Sequence, residues 1–135
     1  MKEKNVLFIV TSLDPTCGGI AANNTNVLSI LRERHNVTCI NAGSTNNGIT
    51  FVNKLKVFVN AVFSLQYDLV IFDHVHLMRA TKYHLSSYRQ KKCVVLAHGS
   101  ESFSAMTELD RHLYTTSRLV ICNSELTRTR HIAAG

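Results

Sequence analysis

The sequence contains no tryptophan and a single proline, Pro15, so its apolar stretches are free of the residue that most sharply ends helices and strands. Its four cysteines, Cys17, Cys39, Cys93 and Cys122, form no C-x-x-C pair. That excludes a zinc knuckle or dithiol redox motif of the usual spacing. No apolar run approaches the roughly 18 residues that a membrane-spanning helix requires. Acids are scarce: nine Asp and Glu stand against fifteen Lys and Arg, a formal charge of +6. An anionic partner follows, either a phosphorylated ligand, an acidic membrane surface or nucleic acid. Nucleic acid is the weakest of the three, because the basic residues are scattered and no helix-turn-helix, zinc-finger or RNP motif is present. No internal repeat is visible.

What is present is ordinary globular composition, 45% hydrophobic and 18% charged over 135 residues, enough for one domain with a sizeable core. Lys2 and Lys4 before the apolar run 6–10 give a faint resemblance to a leader, but Asp14 and Pro15 interrupt it and no small-x-small site follows. Cytoplasmic location is expected, and reduced thiols agree with it. Cys39, Cys93 and Cys122 lie in apolar runs and read as small hydrophobes, whereas Cys17 sits in a turn.

The chain is organised around its first strand, 5–10, and the polar turn 11–18 that leads through Gly18 and Gly19 into a helix over 19–34. Asn23, Asn24, Thr25 and Asn26 crowd that helix's first turns, where they are either solvated or facing a polar cleft. A second strand is expected at 36–41, a loop at 42–50 and a helix at 51–65. In the last, Phe51, Val52, Leu55, Phe58, Val59, Val62 and Phe63 form one stripe. The stripe packs on the sheet in the preferred reading; as a basic amphipathic helix it also admits peripheral membrane contact. Further strands are expected at 68–73, 93–97 and 119–122, with a moderately helical stretch at 77–88, a less regular one at 103–117 and a helix from Glu125 capped by Ser124. The expected fold is α/β: a Rossmann-like open parallel sheet of about five strands with helices on both faces, ordered 2-1-3-4-5.

In such a sheet the carboxyl ends of the strands share one edge, and ligands bind there. The polar clusters 11–19, 73–76, 98–101 and 123–125 all follow strands, so they should converge. The glycines lie eight residues past Val10, no Walker lysine follows them, and the second strand ends in Asn41, which argues against dinucleotide binding and P-loop hydrolysis. Gly18 and Gly19 either serve only the turn or let an anion approach the helix N-terminus. On an extended segment His74 and His76 would face one side beside Asp73, but no third ligand completes a metal set. They bond a ligand or cap the strand end instead. His98, beside Gly99, can donate a hydrogen bond or handle a proton near pH 7. Glu101 either binds a sugar hydroxyl or starts the next helix.

These segments together resemble the N-terminal domain of retaining glycosyltransferases of the GT-B fold, family four. The resemblance is carried by the opening strand with its long loop into Gly18-Gly19-Ile20-Ala21, by 31–38, by 68–74, by Val94-Val95-Leu96-Ala97-His98-Gly99-Ser100-Glu101 and by 119–125. It implies an acceptor-side domain facing a donor-binding domain across a cleft. It further implies Gly18 and Gly19 at the donor phosphates and sugar, His98 as the catalytic residue at the transferred sugar, and His74, Glu101 and Ser124 among the substrate-binding residues. No metal or other cofactor is implied, the nucleotide sugar being a substrate. The acceptor would be a saccharide or lipid-linked saccharide of cell-surface polysaccharide or glycolipid synthesis. The family's donor domain is not within these 135 residues, so the expectation is a domain truncated at its C-terminal end. Its partner would be the missing domain or a separate donor-binding chain. The alternative is a non-catalytic binding module or a subunit of a split enzyme. Self-association as a homodimer through an uncovered apolar edge is also expected.

Overall fold

The computed structural model describes residues 2–45, 48–49, 55, 59, 66–79, 92–99 and 106–133. Five strands form one all-parallel sheet: β1 (Asn5–Val10), β2 (Asn36–Asn41), β5 (Leu69–Phe72), β6 (Cys93–Ala97) and β7 (Leu119–Cys122), ordered β2-β1-β5-β6-β7. This is the expected Rossmann-like α/β arrangement. The chain leaves β1 toward β2 on one side and later fills β5, β6 and β7 on the other. The strand order therefore reverses between β1 and β5, and that junction is the switch point where open sheets hold ligands.

The central strands are continuous apolar runs because both of their faces are covered. In β1, Leu7 and Ile9 enter one core with Val70, Phe72, Val95 and Ala97, while Val6, Phe8 and Val10 enter the other with Ile71, Val94 and Leu96. Val6 through Val10 are all fully buried, and each such side chain contributes about 1.5–3 kcal/mol of apolar transfer before entropy is set against it. Helix α1 (Gly19–Arg32) closes the second core through Leu28. Helices α2 (Val75–Arg79) and α3 (Glu108–Thr116) close the first through Val75, Leu77, Met78, Leu113 and Tyr114. Helix α4 (Glu125–Ala133) joins that same face, where His131 meets Tyr114 edge-on at 4.6 Å.

Three local expectations are corrected. The expected loop over 42–50 contains a short antiparallel pair, β3 (Ser44–Thr45) with β4 (Gly48–Ile49). The helix expected from Leu77 begins at Val75, directly after β5, and 80–88 lie outside the described residues. The less regular stretch contains α3, which a capping box starts: Thr107 Oγ1 accepts from Asp110 N–H while the Asp110 carboxylate accepts from Thr107 N–H. Of the helix expected at 51–65 only Leu55 and Val59 are described. Both are helical, as expected, and about half exposed, so neither side chain is fully buried.

The sheet is unevenly covered at β7. Val94 pairs with Leu119 and Leu96 with Ile121, which puts Leu119 and Ile121 on the α1 face. They remain 52% and 47% exposed, because α1 packs over the far end of the sheet.

Candidate functional site

The site begins where β1 ends. Thr11 leaves the strand, and the next seven residues turn on themselves. Ser12 Oγ accepts from Asp14 N–H at 3.1 Å, and Asp14 caps a single 3-10 turn, Pro15–Cys17, by accepting from Thr16 N–H at 2.9 Å and Thr16 Oγ1 at 2.8 Å. Pro15 suits the first position of that turn, where its missing N–H costs nothing. Gly18 then caps α1 at φ +104° and ψ −174°, a backbone region that only glycine adopts readily. Gly18, the cap residue of α1, has no side chain with which to satisfy the helix start. The N–H groups of its first turn, which have no intrahelical acceptor, open where Gly18 and Gly19 are exposed, and a Cβ built at either glycine would meet no atom within 4 Å. Glycine is therefore needed at 18 for its φ and at neither position for space inside the fold. Ligand access is the property these two residues leave unused.

Asp73, at the end of β5, faces this loop across the switch point. Its Oδ2 accepts from Thr11 N–H at 2.7 Å, Thr11 Oγ1 at 2.6 Å and Asn24 Nδ2 at 2.6 Å. Burial pushes its carboxyl above the ordinary aspartate range. The hydrogen bonds from Thr11 and Asn24 and the charge of nearby His98 offset that only in part. Asp73 belongs to the polar cluster 73–76 expected at this edge and Asn24 to the amides read as solvated or facing a polar cleft, but neither was assigned a site role, and both are fully buried at this junction. The available signal for Asn24 was its place on the buried face of α1, between Ala21 and Leu28 at helical spacing.

His98 follows β6 and is half-buried, next to Gly99, whose φ of +90° few other residues adopt. Its carbonyl accepts from Asn123 Nδ2 at 3.2 Å, which ties the exit of β6 to that of β7. His74 and His76 do come together, with ring centroids 4.4 Å apart and planes within 15°. They do so by a different route from the extended one expected. His76 lies inside α2, and His74 Nδ1 accepts its N–H at 3.2 Å, so His74 caps a helix start. Among the described residues no group of three or more His, Cys, Asp or Glu side chains is placed to hold a metal ion.

Ser124 has the cap role read from the sequence. Its Oγ accepts from Thr127 N–H at 3.1 Å, and Thr127 Oγ1 bonds Asn123 Oδ1 at 3.0 Å. It borders a cleft of about 510 Å³ between α3 and α4, lined by Tyr114, Val120, Cys122 and His131, which neither Gly18 nor Gly19 nor His98 lines. Glu101 lies outside the described residues. The structure thus brings the glycine loop, Asp73, His74 and His98 to the carboxyl ends of three adjacent strands, β1, β5 and β6, with Ser124 one strand further out.

The chain matches no family model, no curated protein and no solved structure. No described helix is long and apolar enough to cross a membrane.

Proposed function

We propose that this chain is the acceptor-side half of a sugar-nucleotide-dependent, retaining glycosyltransferase acting in cell-surface polysaccharide or glycolipid synthesis. One observation carries the reading: a helix N-terminus whose cap residue is glycine, with the glycine pair exposed, lies at the same sheet edge as His98, beside the switch point. The first-turn N–H groups and the helix dipole suit a departing nucleoside diphosphate, whose negative charge grows as the sugar leaves. His98 would hydrogen-bond the transferred sugar, strengthening as charge develops on the ring. The second wall of the site, and most of the nucleotide contact, would come from a donor-binding domain or a second chain. The exposed Leu119 and Ile121 form an apolar strip that such a domain or chain would cover.

The test is transfer from a panel of nucleotide sugars, assayed on the protein together with the chain that completes it. His98→Ala is expected to lower kcat by about 10²-fold, the range for a single preorganised donor, with little change in stability. Full turnover in that variant, or transfer with no sugar of the panel, would overturn the reading. The 135-residue chain alone should bind UDP- and GDP-sugars weakly at most, by calorimetry.

A further inference from the structure

The chemistry above leaves Asp73 without a task. Three hydrogen bonds converge on its Oδ2, two from Thr11 and one from Asn24, all between 2.6 and 2.7 Å and short enough to be charge-assisted. Asn24 Nδ2 also donates to the Ser12 carbonyl at 3.0 Å, and Thr25 Oγ1 donates to the Leu13 carbonyl at 3.1 Å. Residues 11, 12 and 13 are thus each tied down, directly or through α1. Only 14–18 remain between these ties and the helix, and Asp14 closes them through Thr16. One buried carboxylate is therefore the post on which the exit of β1 and the start of α1 both hang.

Stability does not explain the post. No Lys or Arg among the described residues pairs with Asp73, and no donor among them reaches Asp73 Oδ1 or Asn24 Oδ1. Buried acceptors without donors lower stability, and the charge of nearby His98 offsets the burial of the Asp73 carboxylate only in part, so apolar groups of the same volume would commonly raise stability. An arrangement that costs stability and fixes one conformation serves the conformation. We propose that Asp73 is a positioning residue. Acting through Thr11 and Asn24, it holds the 11–19 loop in the one arrangement that presents Gly18 and Gly19 at the carboxyl edge. This goes beyond the glycosyltransferase reading and holds whatever ligand the loop takes.

The experiment is amide hydrogen exchange on the full chain for Asp73→Asn and Asn24→Ala, with denaturant unfolding measured alongside. Exchange over 11–24 is expected to speed by about tenfold or more, as loss of a charge-assisted bond does to a local opening. Exchange in β6 and α3 should stay as in the wild type, and the midpoint of Asp73→Asn should not fall. Thr11→Ser, which keeps both of the Thr11 donors, should leave exchange at the wild-type rate, whereas Thr11→Val should speed it. Unchanged exchange in the loop would overturn the proposal. So would a uniform loss of protection across the sheet with a lower midpoint, which marks a merely structural residue. If Asp73→Asn does not fold, Asn24→Ala decides between the same outcomes. No sugar nucleotide enters this test, so its failure and the failure of the functional reading are separate results.

Discussion

Gly18 and Gly19 are neighbours with opposite structural demands, and alanine at each separates turn from ligand. Gly18 sits at φ +104° and ψ −174°, where an L-residue is strained by about 1–3 kcal/mol even though its Cβ would touch nothing within 4 Å. Gly19 is the first residue of α1, and a methyl there also meets open space. Alanine at that position gains up to about 1 kcal/mol through helix propensity and a less mobile unfolded chain. With about 2.1 cal/mol/K of unfolding entropy per residue over 135 residues, each kcal/mol moves Tm by about 3.5 °C. Gly18→Ala should therefore melt about 4–10 °C lower, and Gly19→Ala should melt at the wild-type temperature or up to about 3 °C higher. Differential scanning calorimetry of the two variants reads this directly. Under the glycosyltransferase function we propose, Gly19→Ala should nonetheless depress transfer, because its methyl would stand where a ligand approaches bare backbone. A Gly18→Ala protein as stable as wild type, or a Gly19→Ala protein as damaged as Gly18→Ala, would refute the reasoning.

Asp110 carries a second expectation. Burial works against its charge, but the hydrogen bonds from Arg79 and Thr107 together outweigh burial and hold its carboxyl below the ordinary range. Its contribution is thus present above the unfolded pKa and lost as pH falls through the folded one. Asp110→Ala should cost about 2–3 kcal/mol at pH 7, from a lost capping box and a stranded Arg79, and that gap should narrow below about pH 4 in pH-dependent denaturation. Asp73 has the opposite sign. With a raised folded pKa, its buried charge penalises the fold at pH 7 and not once it is protonated, so the stability of Asp73→Asn relative to wild type should be greater at pH 7 than at pH 4. Burial pushes the Cys93 thiol up to about 12, whereas Cys17 is exposed, so a thiol reagent at pH 8 should label Cys17 first and Cys93 only on unfolding. Comparable native labelling of both would contradict the core assignment. Leu119→Lys with Ile121→Lys should abolish the self-association expected of the β7 edge, and light scattering showing only monomer in the unmodified chain would dismiss that expectation.

The strands were readable because a parallel sheet buries both faces of its central members. Unbroken runs such as 6–10 and 93–97 have few other uses, and β1, β2, β6 and β7 fall where the apolar pattern puts them. Ser124 was readable for a related reason: a cap bonds three residues along the chain, so the sequence holds the whole interaction. Asp73 and Asn24 were not, since 49 residues separate them and periodicity carries no information across that distance. His74 and His76 were misplaced because a spacing of two has meaning only in extended backbone, and α2 begins between them. Helix α3 was missed for want of apolar content. Its start signal, Thr107 three residues before Asp110, lies outside any hydrophobic pattern.

The two edges of the sheet differ in a way that bears on where a ligand belongs. At the amino edge several of the described polar groups are exposed and paired, though His35 Nδ1 is buried without a partner. Asn5 N–H donates to Asp68 Oδ2 at 2.9 Å, Asn36 Nδ2 to Asn5 Oδ1 at 3.0 Å, and Arg118 N–H to the Cys93 carbonyl at 2.9 Å. At the carboxyl edge, among the described residues, two buried acceptors lack donors, the cap residue of α1 is a glycine with no side chain to offer, and Gly18 and Gly99 hold backbone that other residues resist. Each of these features lowers stability, and all lie at the ends of β1, β5 and β6 or in the helix facing them. Because His35 Nδ1, just before β2 at the amino edge, is also buried without a partner among the described residues, these features are concentrated at the carboxyl edge and not confined to it. Concentration at the switch point is what a binding crevice requires, since groups that a ligand satisfies must stand unsatisfied before it arrives.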